Sequence, residues 1–244
     1  MAALLDIRIE QKNFGTLPVL RNVGLTVHAG ETVSLVGASG CGKSTLLRLA
    51  SGLDRDYQGT ITLNGAPLAG ITREIGFIFQ EPRLFPWLTV AENVAFDIGR
   101  QGAHDPRVVG LLAEVGLTGF ANALPKQLSG GMAQRASIAR GLFTQPRLLL
   151  LDEPFSAVDA FTRMKLQDLL LAVARQHEIT LLLVTHDIDE ALYLSDRVVI
   201  ISERPGSVTA EIAVPQSRPR DRRNTALSAL RSKVLNELYA AHAI

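Results

Sequence analysis

The sequence predicts an α/β protein built on a parallel sheet, and three observations carry the prediction. Short apolar runs, Thr32 to Val36, Leu148 to Leu151, Thr180 to Thr185 and Arg197 to Ser202, have the length of buried strands. Segments with helical spacing, Ala160 to Gln176 and Ile188 to Leu194, alternate with the later strands as crossover connections in a parallel sheet do. One strand also runs straight into a glycine-rich turn that opens a helix, Gly37-Ala-Ser-Gly-Cys-Gly-Lys-Ser44.

Taken in order, the chain opens with two further strand candidates, alternating Leu5, Ile7, Ile9 and then Val23, Leu25, Val27. The helix after the glycine-rich turn should end near Gly52, a C-cap residue type. Gly59 to Gly65 alternates as a hairpin strand does, and Ile75 to Phe79 is a short apolar strand. From Thr89 to about Arg140 the spacing becomes helical, through Val90, Val94, Val108, Leu111, Leu112, Val115, Ile138 and Leu142, which reads as a helical insert. Pro215 to Arg223 is polar, with two prolines and four arginines, and reads as a solvated linker. Asn224 can cap a last helix, whose Leu227, Leu230, Val234, Leu235 and Leu238 fall on one stripe.

Composition removes several classes. With 244 residues, 47% apolar and 20% charged, the chain has the balance of a globular domain rather than a disordered or fibrous one. Lys and Arg total 25 against 24 Asp and Glu, so no charge bias points to nucleic acid. Mean hydropathy is +0.17, yet no apolar run approaches the roughly 20 residues that span a bilayer. Asp6 and Arg8 interrupt the opening segment where a secretion signal needs apolar residues, and the single cysteine, Cys41, cannot pair internally; both fit a reducing cytosol.

The glycine-rich turn has the chemistry of a phosphate cradle. Gly37, Gly40 and Gly42 let backbone N–H groups turn toward phosphate oxygens, with Ala38, Ser39 and Cys41 between them. Lys43 should reach the β- and γ-phosphates, Ser44 should put its hydroxyl on Mg2+, and Thr45 continues the helix start. Cys41 has no neighbouring base and reads as a passive loop residue that a bulky thiol reagent should reach and thereby block the cradle. Leu148-Leu-Leu-Leu-Asp152-Glu153 places two carboxylates at the end of an apolar strand. Asp152 is the expected holder of Mg2+ and Glu153 the expected general base for a water attacking the γ-phosphate.

Between these motifs stands Leu128-Ser-Gly-Gly-Met132, followed by Ala133-Gln-Arg135, and with it residues 4 to 214 resemble the nucleotide-binding subunits of ABC transporters. The resemblance implies a P-loop NTPase fold: a RecA-like core with an antiparallel β subdomain and a helical ABC subdomain. It divides the chain into an ATPase domain, 1–215, with the helical subdomain at about 81–140, and a linker and C-terminal helix, 216–244. Gln80 looks like the family's Q-loop glutamine, linking the nucleotide to the transmembrane partner and serving both catalysis and Mg2+. Ser156-Ala-Val-Asp159 looks like the D-loop, His186 like the switch histidine that orients the γ-phosphate and water, and Phe14 like the aromatic that stacks on adenine. Phe14 stands for the more usual tyrosine, Val158 for a leucine, and Ala133 for a longer polar residue.

The resemblance further implies a head-to-tail homodimer in which Ser129, Gly130 and Gly131 of one subunit close over ATP held by the other. Leu84 to Val94, Glu153 to Arg163 and Ser202-Glu-Arg-Pro-Gly206 together look like the nitrate, sulfonate and taurine importers. A peripheral ATPase on the cytoplasmic face of the inner membrane is then expected, working with a membrane permease and, indirectly, a solute-binding protein. The loop from Gln80 to Trp87, with two prolines and two aromatics, is the expected permease contact; the competing reading makes Phe85 and Trp87 packing anchors of the insert. A rival functional class is an ABC-type ATPase acting on DNA or the translation machinery; a small-molecule P-loop kinase would leave Leu128 to Met132 and His186 without a task, and a non-catalytic ATP-binding domain is disfavoured by Glu153 and His186.

Overall fold

The computed structural model describes residues 3–242. In chain order the elements are β1 (Ala3–Phe14), β2 (Leu17–His28), β3 (Thr32–Gly37), α1 (Lys43–Ala50), β4 (Gln58–Leu63), β5 (Ala66–Pro67), β6 (Ile75–Ile78), α2 (Val90–Val94), α3 (Pro106–Glu114), α4 (Gly130–Leu142), β7 (Leu148–Asp152), α5 (Ala160–Gln176), β8 (Thr180–Val184), α6 (Ile188–Leu194), β9 (Arg197–Ile201), β10 (Val208–Ala213) and α7 (Thr225–Ala240). They divide between two units, one of residues 1–72 and 180–244, the other of residues 73–179.

The first unit holds two sheets. In one, β2, β1, β4 and β5 lie side by side in antiparallel order. Alternation in β1 buries Leu5, Ile7 and Ile9 on one face, as the period of two requires. In the other, β3 pairs in parallel with β8 on one side and β9 on the other, and β10 closes the β9 edge antiparallel. The strands β3 and β8 are buried at nearly every position, which is why they read as unbroken apolar runs rather than as alternation. The register Leu35↔Val184 sets the C-terminal ends of β3 and β8 next to each other.

The last helix belongs to this unit's core. Leu227, Val234 and Leu238 are buried together with Ala191 and Leu192 of α6, Val198 and Ile200 of β9, and Ile212 of β10. Asn224 accepts a hydrogen bond from the Ala226 N–H at 2.9 Å, the capping expected from the sequence.

The segment before it is exposed at most positions, as a solvated linker would be, but it is anchored by one buried arginine. Arg220 is only 6% exposed, and its guanidinium donates to the carbonyls of Leu192 (2.9 Å), Tyr193 (3.0 Å) and Ser195 (2.7 Å) at the end of α6, and to those of Val214 (3.1 Å) and Gln216 (2.8 Å). Orphan carbonyls at a helix C-terminus and a cation suit each other, so an arginine that looks solvated in a polar run becomes a helix cap. Burial pushes its pKa down to about 10, Arg218's charge adding to the shift while Asp196 and Tyr193 oppose it. Arg218 in turn pairs with Asp196, and Arg222 lies over the Tyr193 ring at 3.5 Å.

In the second unit β6 and β7 pair in parallel, with Ile78 opposite Leu151. Thr89 begins α2 with a capping box: its hydroxyl accepts from the Glu92 N–H while the Glu92 carboxylate accepts from the Thr89 N–H at 2.7 Å. Asp105 caps α3 and binds Arg107 through both oxygens, which holds its carboxyl down to about 2. The helices expected between Thr89 and about Arg140 form as α2, α3 and α4, with shorter turns between them.

Removing the Arg220 guanidinium strands several main-chain carbonyls in the interior. Arg220→Ala should cost about 2–4 kcal/mol, which for a chain of this size lowers Tm by about 5–15 °C. Arg220→Lys should recover part of the loss, since one ammonium can serve some of the five acceptors. Differential scanning calorimetry of the three proteins checks both statements.

Candidate functional site

The glycine-rich turn lies where β3 ends, and its shape is set by missing side chains. Gly40 and Gly42 have φ of 74° and 110°, left-handed values that favour glycine. A Cβ on Gly42 would stand 2.6 Å from Leu20 Cδ2 and 3.1 Å from the Val19 carbonyl oxygen, and one on Gly37 would collide with the carbonyl oxygen of Ile201. The loop is thus pressed between β2 and the end of β9. Lys43 begins α1 directly after it and is buried; its ammonium donates to the carbonyls of Gly37 (2.8 Å) and Ala38 (2.7 Å), so the charge is stored on the loop itself. Ser44 and Thr45 are half-buried in the first turn of α1.

Cys41 does not have the accessibility the sequence suggested. It is 1% exposed, with Sγ 3.7 Å from Lys43 Nζ, because the loop turns its Cys41 side chain inward between β3 and the β9 end. A bulky thiol reagent has no route to it in the folded chain.

Two more expected residues fall in this unit. His186 follows β8, and the parallel β3–β8 register puts it at the same end of the sheet as Gly37. The Thr185 N–H donates to the Leu35 carbonyl at 3.2 Å, and Asp187 caps α6 by accepting from the Glu190 N–H at 3.0 Å, so the histidine is exposed on a turn fixed on both sides. Phe14 ends β1 and is 49% exposed. Beneath it Lys12, buried at 2% exposure, reaches Asp54 (2.8 Å) and the Asp56 carbonyl (2.6 Å) with its Nζ 4.8 Å from the ring centroid.

The second unit brings another set together. The β6–β7 register, with Ile78 opposite Leu151, puts Gln80, two residues past β6, at the same end of the sheet as Asp152, the last residue of β7, and Glu153, just after it. Asp152 and Glu153 are half-buried. Glu153 has φ of 45°, a left-handed value rare for a residue with a side chain, and its carbonyl accepts from the Ser156 N–H (3.2 Å) and hydroxyl (3.0 Å). Such backbone costs about 1–3 kcal/mol and persists where the surroundings over-determine it.

Ser129 caps α4, its hydroxyl accepting from the Met132 N–H at 3.3 Å, and both Ser129 and Gly130 are exposed. A Cβ on Gly131 would stand 2.6 Å from Thr162 Cγ2, so α4 and α5 begin in contact. Asp159 caps α5 by accepting from the Phe161 (3.1 Å) and Thr162 (3.0 Å) N–H groups. Its hydrogen bonding, with the Thr162 side chain first among the causes, holds its carboxyl below the usual range. The cap therefore stabilises the chain above the ordinary carboxylate range and is lost as pH falls through the lowered value.

Sequence reasoning missed Arg140 of α4. Its guanidinium donates to the carbonyls of Pro82 (2.7 Å) and Arg83 (2.8 Å), tying the loop after Gln80 to the helix that Ser129 begins; burial lowers its pKa. Fully buried Asn93 does the same for the next segment: Phe85 donates its N–H to Asn93 Oδ1 (2.7 Å), while Asn93 Nδ2 serves the carbonyls of Phe85, Leu88 and Thr89. On this frame Phe85 stacks on Phe96 at 4.3 Å between centroids. Trp87, 5.7 Å from Phe85, is 67% exposed and Phe96 49%, so the three rings form an outward cluster in which Phe85 is half-buried, and Trp87 does not pack as an anchor into the core.

A family model described as ABC transporter matches residues 20–156. The aliphatic sulfonates import ATP-binding protein SsuB 1 of Pseudomonas savastanoi pv. phaseolicola is 56% identical over 243 residues, 99% of each chain. Its namesake in Xanthomonas axonopodis pv. citri is 58% identical over 245 residues, covering 98% of this chain and 97% of that one. Among solved structures, a dimeric ATP-binding cassette in a post-hydrolysis state, bound to ADP and phosphate, superposes with a TM-score of 0.75 at 31% identity. It covers 87% of this chain and is itself covered completely.

The α4–α5 approach is testable by a repair experiment. Gly131→Ala should lower Tm by several degrees, because the new methyl meets the Thr162 methyl. Thr162→Ser deletes that methyl, so the double variant should regain most of the loss; equal melting of Gly131→Ala and the double variant would contradict the contact.

Proposed function

The chain belongs to the ABC transporter family, and from that premise we propose that it is the ATP-hydrolysing subunit of an importer for aliphatic sulfonates. The observation that carries the reading is the phosphate loop, with left-handed Gly40 and Gly42 and a buried Lys43, in a chain similar over its full length to sulfonate import ATP-binding proteins. That similarity offers nothing to the rival reading of an ATPase on DNA or the translation machinery.

In this reading backbone N–H groups of residues 37–45 take the phosphate oxygens of ATP, Lys43 leaves its loop carbonyls for the β- and γ-phosphates, and Phe14 stacks on adenine with the Lys12 charge behind its ring. The Ser44 hydroxyl and the Asp152 carboxylate, with the Gln80 amide, are oxygen donors of the kind Mg2+ takes, one carboxylate among neutral groups. When bound, that ion neutralises charge on the phosphates. Glu153 takes the proton from the attacking water, and its fixed left-handed backbone sets where the carboxylate stands. His186 orients the γ-phosphate and water.

Exposed Ser129 and Gly130, with Gly131, at the start of a 13-residue helix make a second anion-binding end. That supports a head-to-tail homodimer in which they cover the partner's nucleotide, with Asp159 at the same junction. The exposed Trp87 face, held by Asn93 and Arg140, supports permease binding through the loop from Gln80 to Trp87. Among the described residues no helix is long and apolar enough to cross a membrane. Attachment to the cytoplasmic face of the inner membrane then comes through the permease, and a solute-binding protein acts on the permease rather than on this chain.

Two measurements test this. Glu153→Gln should keep MgATP binding, lose hydrolysis by a factor of about 100 or more, and accumulate as an ATP-bound dimer in gel filtration; hydrolysis at the parent rate would overturn the base assignment. Trp87→Ala should leave nucleotide affinity and Tm unchanged while weakening permease binding and uncoupling sulfonate uptake from hydrolysis in vesicles. Unchanged coupling would remove Trp87 from the partner surface.

A further inference from the structure

Ser202-Glu-Arg-Pro-Gly206 is a motif to which the proposed mechanism gives no task, and it packs directly against the phosphate loop. The turn leaves β9 and is closed by its own ends: the Ser202 N–H donates to the Ser207 carbonyl (3.0 Å), and the Ser207 N–H donates to Ser202 Oγ (3.0 Å). It is also stitched to β2, since the Gly206 N–H donates to the Val19 carbonyl (2.8 Å) and the Gly206 carbonyl accepts from the Arg21 N–H (3.0 Å). Gly206 then lies so close to the loop that any Cβ would collide with the carbonyl oxygen of Cys41. A glycine is required there by close approach, not by turn geometry alone.

This seat delivers a side chain. Arg204 Nη2 stands 3.4 Å from where a Cβ on Gly40 would be, at the exposed part of the loop. Arg204 is itself exposed, and among the described residues no carboxylate pairs with it; half-buried Arg197 and buried Arg220 are by contrast engaged by carboxylates and by main-chain carbonyls. Lys43, the loop's other cation, is a single ammonium resting on two carbonyls. A triphosphate carries more negative charge than one ammonium offsets, and a free guanidinium offers planar, forked donors suited to phosphate oxygens.

We propose that Arg204 is a nucleotide-binding residue, supplying the second side-chain cation for the polyphosphate of ATP, and that Gly206 holds it against the loop. The proposal rests on the reading of residues 37–45 as the ATP site. It places the recognised anion on the Gly40 side of the loop and requires no change in the rest of the fold.

The test is isothermal titration of the full chain with MgATP, MgADP and AMP, using the parent protein, Lys43→Ala, and the series Arg204→Lys, Arg204→Gln and Arg204→Glu. MgATP affinity should fall in that order, with Arg204→Gln weakened about 5- to 20-fold, MgADP weakened less, AMP changed less than twofold, and Tm unchanged throughout. A purely structural role would not sort by charge or by the number of phosphates. If Lys43→Ala abolishes MgATP binding while Arg204→Gln and Arg204→Glu bind as the parent does, the assignment of Arg204 is overturned and the ATP site stands. If the parent does not bind MgATP, or Lys43→Ala binds it unchanged, the ATP-site reading itself falls and takes this proposal with it.

Discussion

The phosphate loop can curl only because side chains are absent where three backbone segments meet. Gly37 lies against the Ile201 carbonyl, Gly42 against Val19 and Leu20, and Gly206 against the Cys41 carbonyl. Each contact is backbone on backbone or backbone on a core side chain, and none leaves room for a methyl group. The loop is therefore not a flexible strap between β3 and α1 but a part whose shape is dictated by β2 and β9. Its glycines divide into those that free the dihedrals, Gly40 and Gly42, and those that permit close approach, Gly37 and again Gly42. The inward-turned Cys41 and the folded-back Lys43 follow from the same confinement.

The second unit solves a different problem, that of holding irregular backbone firmly while keeping part of it exposed. Loops expose polar main-chain groups that must find partners. Arg140 takes the carbonyls of Pro82 and Arg83, and Asn93 takes those of Phe85, Leu88 and Thr89. With the main chain satisfied, the aromatic side chains of Phe85, Phe96 and Trp87 can stack into an outward face without collapsing into the core. The helix carrying Arg140 is also the one that Ser129 begins, so one rigid body links the exposed serine-glycine end to the loop after Gln80. One element thus carries both the exposed serine-glycine end and the anchor of the loop after Gln80.

Arginines do most of this tying, and several of them are spent on internal partners. Arg220 and Arg140 are spent on carbonyls, Arg197 on Glu31 and Glu211, Arg218 on Asp196. A guanidinium stays charged through such burial because five donors can be satisfied by neutral oxygens, whereas an ammonium of similar reach would leave most of them bare.

The strands, helices and cap residues of this chain were legible in its sequence because the signals are local. Periods of two and 3.6, and Asn224 as a cap, each act within a few residues. The positions of Gln80, Asp152, Glu153 and His186 at strand ends were legible for the same reason, since an apolar run that stops at a polar residue marks the end of a buried strand. Tertiary structure alone decided that Arg220, within the otherwise largely exposed stretch Pro215 to Arg223, is buried on main-chain carbonyls, that Cys41 faces inward, that Arg140 grips the loop after Gln80, and that Arg204 stands over Gly40. In the arginine cases the partner is a backbone group or a glycine brought close by folding. Every residue carries such a carbonyl, so the pairing leaves no mark in the sequence, and only the packed chain selects which one the guanidinium meets.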